Sequence, residues 1–255
     1  MVSDLCLFHT KYEVGPTYLI QKTKDHAAGI HKFDRQLVTV TTFSNYHLMK
    51  LTTEIFFLRK LRHMPGIVQF LDNYYIYNTP FLITRYFSPL TLPKLLQINP
   101  LSEHQVRIVL QQLIHTLRTM REKKVVHLRV TPNAILIHPK TLAIQLTDFE
   151  YAATHNVAIS QAEIGHLAAP PEYFFSVLPK KWHDSTYVWN CGILTTVMLT
   201  CQTPFKSSTD IVEKSPPTLE QQSKNCQLFV GSLLEKNIAQ RCKFELILHH
   251  PFMIT

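Results

Sequence analysis

The alternation of apolar and polar positions changes character near Ser102. Before it lie short β-branched and aromatic runs at 36–42 (QLVTVTT), 67–72 (IVQFLD) and 80–87 (PFLITRYF), each long enough for one strand. Between the first two, residues 48–62 carry apolar side chains at 48, 51, 55, 58 and 61, the three-and-four spacing of an amphipathic helix. From Ser102 the period is helical: Ser102 is a candidate N-cap, and apolar residues follow at 106, 109, 110, 113, 114 and 117. A hairpin-like interruption comes next, AILI at 134–137 and AIQL at 143–146 on either side of His138, Pro139 and Lys140. Helical spacing resumes at 188–199 and 227–238. The polar stretch 206–224, with Pro216 and Pro217, reads as a loop with room for one short helix, and no internal repeat is present.

Composition supports a folded chain. With 45% hydrophobic and 17% charged residues and no polar low-complexity tract, its 255 residues can bury a full core. The net charge of +8 favours acidic partners. The basic residues, however, are scattered in short runs such as Lys123-Lys124 and Lys180-Lys181 without interleaved aromatics, which argues against a specific nucleic-acid platform. Five cysteines with no C-x-x-C pair argue against a disulfide framework and a zinc site, and fit reduced thiols in the cytoplasm or nucleus. Residues 1–11 lack a signal-peptide pattern and no run of 18 apolar residues occurs, so no membrane association is expected.

Local motifs narrow the fold. TEIFFLRKLRH at 53–63, followed by GIVQF at 66–70, resembles the helix and following strand of a protein-kinase small lobe. HLRVTPNAILI at 127–137 resembles the catalytic loop, LTDFE at 146–150 the stretch ending in DFG, and APPE at 169–172 the end of the activation segment. VWNCG at 188–192 resembles the helix after it. These five motifs come in kinase order and at kinase spacing. The chain is thereby identified as a member of the protein-kinase-like superfamily, with closest resemblance to the Pim serine/threonine kinases. Tyr12 to Pro16 (YEVGP), the doubled Pro170-Pro171, Val188-Trp189, and His250 to Met253 (HPFM) carry that likeness. The resemblance implies an α+β, bilobal kinase-like fold. A small β-rich lobe with one helix is expected at 12–87 and a larger, mainly helical lobe at 88–255, together one domain over 12–253.

Phosphoryl transfer works by positioning and electrostatics, so its residues can be checked one by one. Counted from YEVGP, the family's three loop glycines fall on Leu19, Gln21 and Lys24, whose Cβ atoms obstruct a close backbone approach to phosphates. Thr41 stands where the phosphate-binding lysine belongs and supplies no charge. Glu54, the matching helix carboxylate, is expected to be a solvated or locally bonded helix residue, with Lys22 or Lys24 a less favoured substitute partner. Leu128 and Arg129 replace the Arg and Asp of the HRD motif, and Arg cannot accept a proton. Thr131 replaces the loop lysine, Ala134 the magnesium-binding asparagine, and Glu150 the DFG glycine. Asp148 is the one remaining metal-ligand candidate, and a local backbone-bonding role also accounts for it. His26 and Thr39 hold the positions that sandwich adenine, and with Thr84 and the retained Leu136 they outline a vestigial pocket.

Residues implied by the resemblance to be structural are kept. Leu58, His127 and Phe149 match members of the regulatory spine, and Glu172 with Arg241 matches the ion pair that ties the activation segment to the large lobe. The expectation is a pseudokinase acting by binding a protein partner such as an active kinase, a kinase regulator or a kinase substrate. No cofactor is expected, the residues arguing against ATP and magnesium. An atypical kinase of low activity, using Asp148 and a relocated lysine, is the open alternative. The oligomeric state is not indicated.

Overall fold

The strand-forming runs of the first part assemble into one antiparallel sheet. In the computed structural model, which describes residues 4–20, 24–43, 48–77, 79–88, 90–165, 168–175 and 180–254, the chain divides into two compact units. One comprises Met1–Pro89 with Gln145–Ala152; the other comprises Leu90–Ile144 with Ala153–Thr255.

In the first unit, β1 (Tyr12–Ile20), β2 (Lys24–His31), β3 (Leu37–Phe43), β4 (Phe70–Ile76) and β5 (Thr79–Arg85) form a sheet in the order β1-β2-β3-β5-β4. The register of β1 slips between Val14 and Thr17 and again before Leu19. Pro16, which has no N–H for the ladder, lies inside the first slip. The expected strand at 67–72 is displaced to Phe70–Ile76, because the beginning of that apolar run pairs elsewhere: Ile67 bridges Leu146, and the Val68 N–H donates to the Leu146 carbonyl at 3.1 Å. Two helices cover the sheet. Helix α2 (Leu48–Lys60) buries Leu51, Glu54, Phe57 and Leu58. Helix α1 (Asp4–Lys11), which the hydrophobic pattern did not indicate, packs on β1 and β4. Its Phe8 ring lies 5.4 to 5.6 Å from those of Tyr12, Tyr74 and Phe81. Lys11 pairs with Asp72 at 3.1 Å, and Asp4 accepts the Tyr75 N–H at 3.0 Å, so both ends of the helix are tied to β4.

The second unit is mainly helical. After the short α3 (Leu92–Leu96), helix α4 (Glu103–Glu122) begins at a capping box: Ser102 Oγ accepts the Gln105 N–H, and the Gln105 side chain accepts the Ser102 N–H. All six residues of its expected apolar stripe are buried. The hairpin turn is closed by the His138 N–H donating to the Ala143 carbonyl at 2.9 Å. A short helix, α5 (Gln161–Ile164), precedes the long α6 (Ser185–Thr200), which is buried all round from Ser185 to Leu199, as befits a central helix. The short helix allowed for in the polar stretch is α7 (Ser208–Glu213). The last helical stretch, expected at 227–238, is α8 (Lys224–Leu233): Ser223 caps it by accepting the Cys226 N–H, which moves its start forward.

Candidate functional site

The sheet decides where the small-lobe positions meet. Register sets Leu19 opposite His26, His26 opposite Thr41, and Thr39 opposite Thr84. Opposed residues of an antiparallel pair share a face, as do residues two apart on one strand. His26, Thr39, Thr41 and Thr84 therefore come together on one side of the sheet. Thr41 is 4% exposed, and its Oγ1 lies 2.8 Å from His26 Nδ1. Its hydroxyl is engaged by a neighbouring strand and it brings no cation. Lys24 sits in register with Phe43, with its side chain, like that of Leu19, outside the described residues; Gln21 and Lys22 lie outside them altogether.

Glu54 departs from the sequence expectation of a solvated or locally bonded helix residue. It is 3% exposed, and its Oε1 accepts the backbone N–H of Phe149 at 3.3 Å, a partner 95 residues away. The reason is that the 145–152 segment belongs to the first unit, where the 3-10 turn Phe149–Tyr151 packs along α2. Leu58 and Phe149 are both buried in this unit. Asp148, immediately before the turn, adopts a left-handed conformation (φ 63°, ψ 52°), which Asp tolerates better than most residues. A second tie at this place carries no local sequence signal. Lys50 of α2 lies 3.8 Å from Glu150 Oε1, with its ammonium 4.7 Å from the centre of the Tyr151 ring.

In the second unit, His127 is fully buried and its backbone N–H donates to the Tyr187 hydroxyl at 2.9 Å. Burial raises the Tyr187 pKa and keeps that hydroxyl protonated. Leu128 takes a left-handed φ of 57° and is buried. Arg129 extends its Nε to the carbonyl of Glu163 at 2.7 Å, so the cation at this loop position is bonded to α5. The Thr131 N–H donates to the Arg129 carbonyl and the Ala134 N–H to the Thr131 carbonyl, a tight turn in which the Ala134 methyl is buried. Leu136 bridges Thr91. Residues 130–133 also line a cavity of about 430 Å³ with Pro93 and Phe205, a feature no local motif announces. The ion pair is present: Arg241 grips Glu172 through two hydrogen bonds of 2.8 and 2.9 Å.

ATP with magnesium, which the fold implies, requires charge on the phosphates and several oxygen or amide ligands for the metal. Within the first unit, Asp148 supplies one carboxylate and Thr41 an engaged hydroxyl; within the second, Ala134 supplies only a methyl. These residues do not fit that donor set. Among the described residues, no group of three or more His, Cys, Asp or Glu is placed to hold a metal ion.

The protein-kinase domain model matches residues 22–253, nearly the whole chain, and the chain belongs to that family. It is similar to the serine/threonine-protein kinase pim-2 of Danio rerio, 29% identical over 195 residues, covering 74% of this chain and 62% of the relative. It is also similar to the human serine/threonine-protein kinase ULK1, 25% identical over 250 residues, covering 88% of this chain and 23% of the relative. The chain thus spans less than two thirds of the length of either.

Proposed function

We propose that this Pim-like member of the kinase family is a pseudokinase that acts by binding another protein, with no requirement for ATP or magnesium. The observation that carries the reading is Arg129. Where a kinase needs a carboxylate to accept the hydroxyl proton of its substrate, this chain has a guanidinium bonded to the Glu163 carbonyl at 2.7 Å. Thr41, bonded to His26, and Ala134, buried in its turn, support the same reading at the phosphate and metal positions. The burial of Phe149 and of His127, each within its own unit, and the Glu172–Arg241 ion pair support a role for the fold as a binding surface. The partner class we propose is a kinase, a kinase regulator or a kinase substrate, met in the cytoplasm or nucleus, without specific nucleic-acid or membrane binding.

The names of the relatives, both serine/threonine-protein kinases, together with the presence of Asp148, favour a second reading: a kinase of low activity. Radiolabelled phosphotransfer, with a thermal-shift titration of ATP and magnesium, separates the two. The pseudokinase reading expects neither incorporation nor a shift. Incorporation that disappears in Asp148→Asn would overturn it. Affinity purification from cells then tests the partner class, with co-purification of an active kinase as the supporting outcome.

A further inference from the structure

We infer that Lys50 and Glu150 form a latch that fixes helix α2 to the Asp148–Tyr151 turn. The geometry is reciprocal. Helix α2 gives a carboxylate to the turn, Glu54 Oε1 accepting the Phe149 N–H at 3.3 Å. The turn gives a carboxylate back to the helix, Glu150 Oε1 standing 3.8 Å from the Lys50 ammonium. Lys50 and Glu54 are four residues apart and so lie on one face of the helix, one turn above the other. Two attachments of opposite polarity on successive turns resist both rotation of the helix about its axis and sliding along it, which a single hydrogen bond does not.

An exposed ion pair of this length would carry little weight. This one is sheltered: the side chains are 28% and 13% exposed, and the Lys50 ammonium also lies 4.7 Å from the Tyr151 ring centre, where the negative face of the ring attracts it. One cation therefore holds two consecutive residues of the turn. Strand β3 offers no competing cation at Thr41, whose hydroxyl is directed to His26. Glu150 is the residue that makes the arrangement possible, because a glycine at that position could not reach the helix. The latch also restrains the left-handed backbone of Asp148, two residues before Glu150. It is a conformational device within the first unit and does not depend on whether the chain transfers phosphate.

Hydrogen exchange on the 255-residue chain tests it, following peptides from 48–58 and 146–152, with α4 as an internal control. Lys50→Met keeps the aliphatic stem and Glu150→Gln keeps the shape, so both variants retain the packing. Each should speed exchange in both segments by a similar factor, about three- to tenfold for the loss of one sheltered pair, and leave α4 unchanged. The double variant should be no faster than either single one, and about 1 M KCl should produce part of the same effect in the unaltered protein. The swapped pair Lys50→Glu with Glu150→Lys should recover protection in both segments. Faster exchange confined to the segment that carries the substitution, or additive effects in the double variant, would overturn the latch.

Discussion

Arg241 and Glu172, 69 residues apart, close a two-pronged pair, Nη1 to Oε1 at 2.8 Å and Nη2 to Oε2 at 2.9 Å. The Arg241 side chain is entirely buried, gives its Nε to the Glu235 carbonyl at 2.7 Å, and lies 5.1 Å from the Trp189 ring centre. Removing one partner strands the other charge. Glu172→Ala should therefore lower the unfolding free energy by about 3 to 5 kcal/mol, read from urea denaturation followed by circular dichroism. Arg241→Lys keeps the charge but loses the planar fork, and should also be clearly destabilising. Wild-type stability in Glu172→Ala would show that the pair is not buried in solution.

That pair was expected only because the resemblance to protein kinases, carried at Glu172 by the APPE motif, implies it; nothing in the local pattern around Arg241 points to Glu172. Helix α4 was legible for a different reason: Ser102 and a strict apolar period state its start and its buried face locally. What escaped was whatever depends on contacts distant in sequence. Helix α1 is held by Phe8, Lys11 and Asp4 reaching β4 more than sixty residues away, and its eight residues are too few to display a helical period. The expectation of a solvated or locally bonded Glu54 fails because nothing nearby in the chain could bury it; the turn that bonds to it arrives 95 residues later. Likewise, Glu150 was legible as a missing glycine but not as the partner of Lys50, since motif matching records what a position lacks and not what its new side chain reaches.

The tyrosines around α1 predict alkaline sensitivity. Tyr12 is pushed up to about 12 from 10.0, by burial first and then by the Asp72 carboxylate. Tyr74 is raised as well, by burial and by donating its hydroxyl to Asp72 at 2.6 Å. With the folded value above the unfolded one, the unfolded chain loses its proton first as the pH rises. The stabilisation is therefore complete below about pH 10 and is lost between about pH 10 and 12. Thermal unfolding across that range should show a falling midpoint, and Tyr12→Phe, which keeps the ring against Phe8, should make the fall shallower. An identical pH profile in the variant would remove Tyr12 from the account.

The thiols should divide by burial. Cys6 and Cys201 are exposed, whereas Cys191 and Cys226 are buried and their pKa values are pushed up to about 12, chiefly by desolvation. Because the thiolate is the reactive form, a disulfide reagent at neutral pH should titrate Cys6 and Cys201 quickly, and Cys191 and Cys226 only once denaturant is added. Peptide mapping of the modified chain checks the assignment. Modification of Cys191 in the native protein would contradict the packing of α6 as a fully buried helix.

Two helical glycines should respond in opposite directions to the same substitution. A Cβ built on Gly192 of α6 would lie 2.6 and 2.7 Å from the Leu234 side chain and 3.0 Å from Leu233 Cβ, closer than packed carbon atoms can sit. Since α6 is buried all round, the helix has no direction in which to retreat, and Gly192→Ala should cost about 1 to 3 kcal/mol through overpacking. Around Gly231 of α8 nothing lies within 4 Å of the added carbon. There the substitution only removes the entropic penalty of glycine in a helix, so Gly231→Ala should stabilise by about 0.5 to 1 kcal/mol. Urea midpoints for the two variants, measured side by side, should move apart. A loss of stability in Gly231→Ala would mean that α8 is more closely packed at that position than its open surroundings indicate.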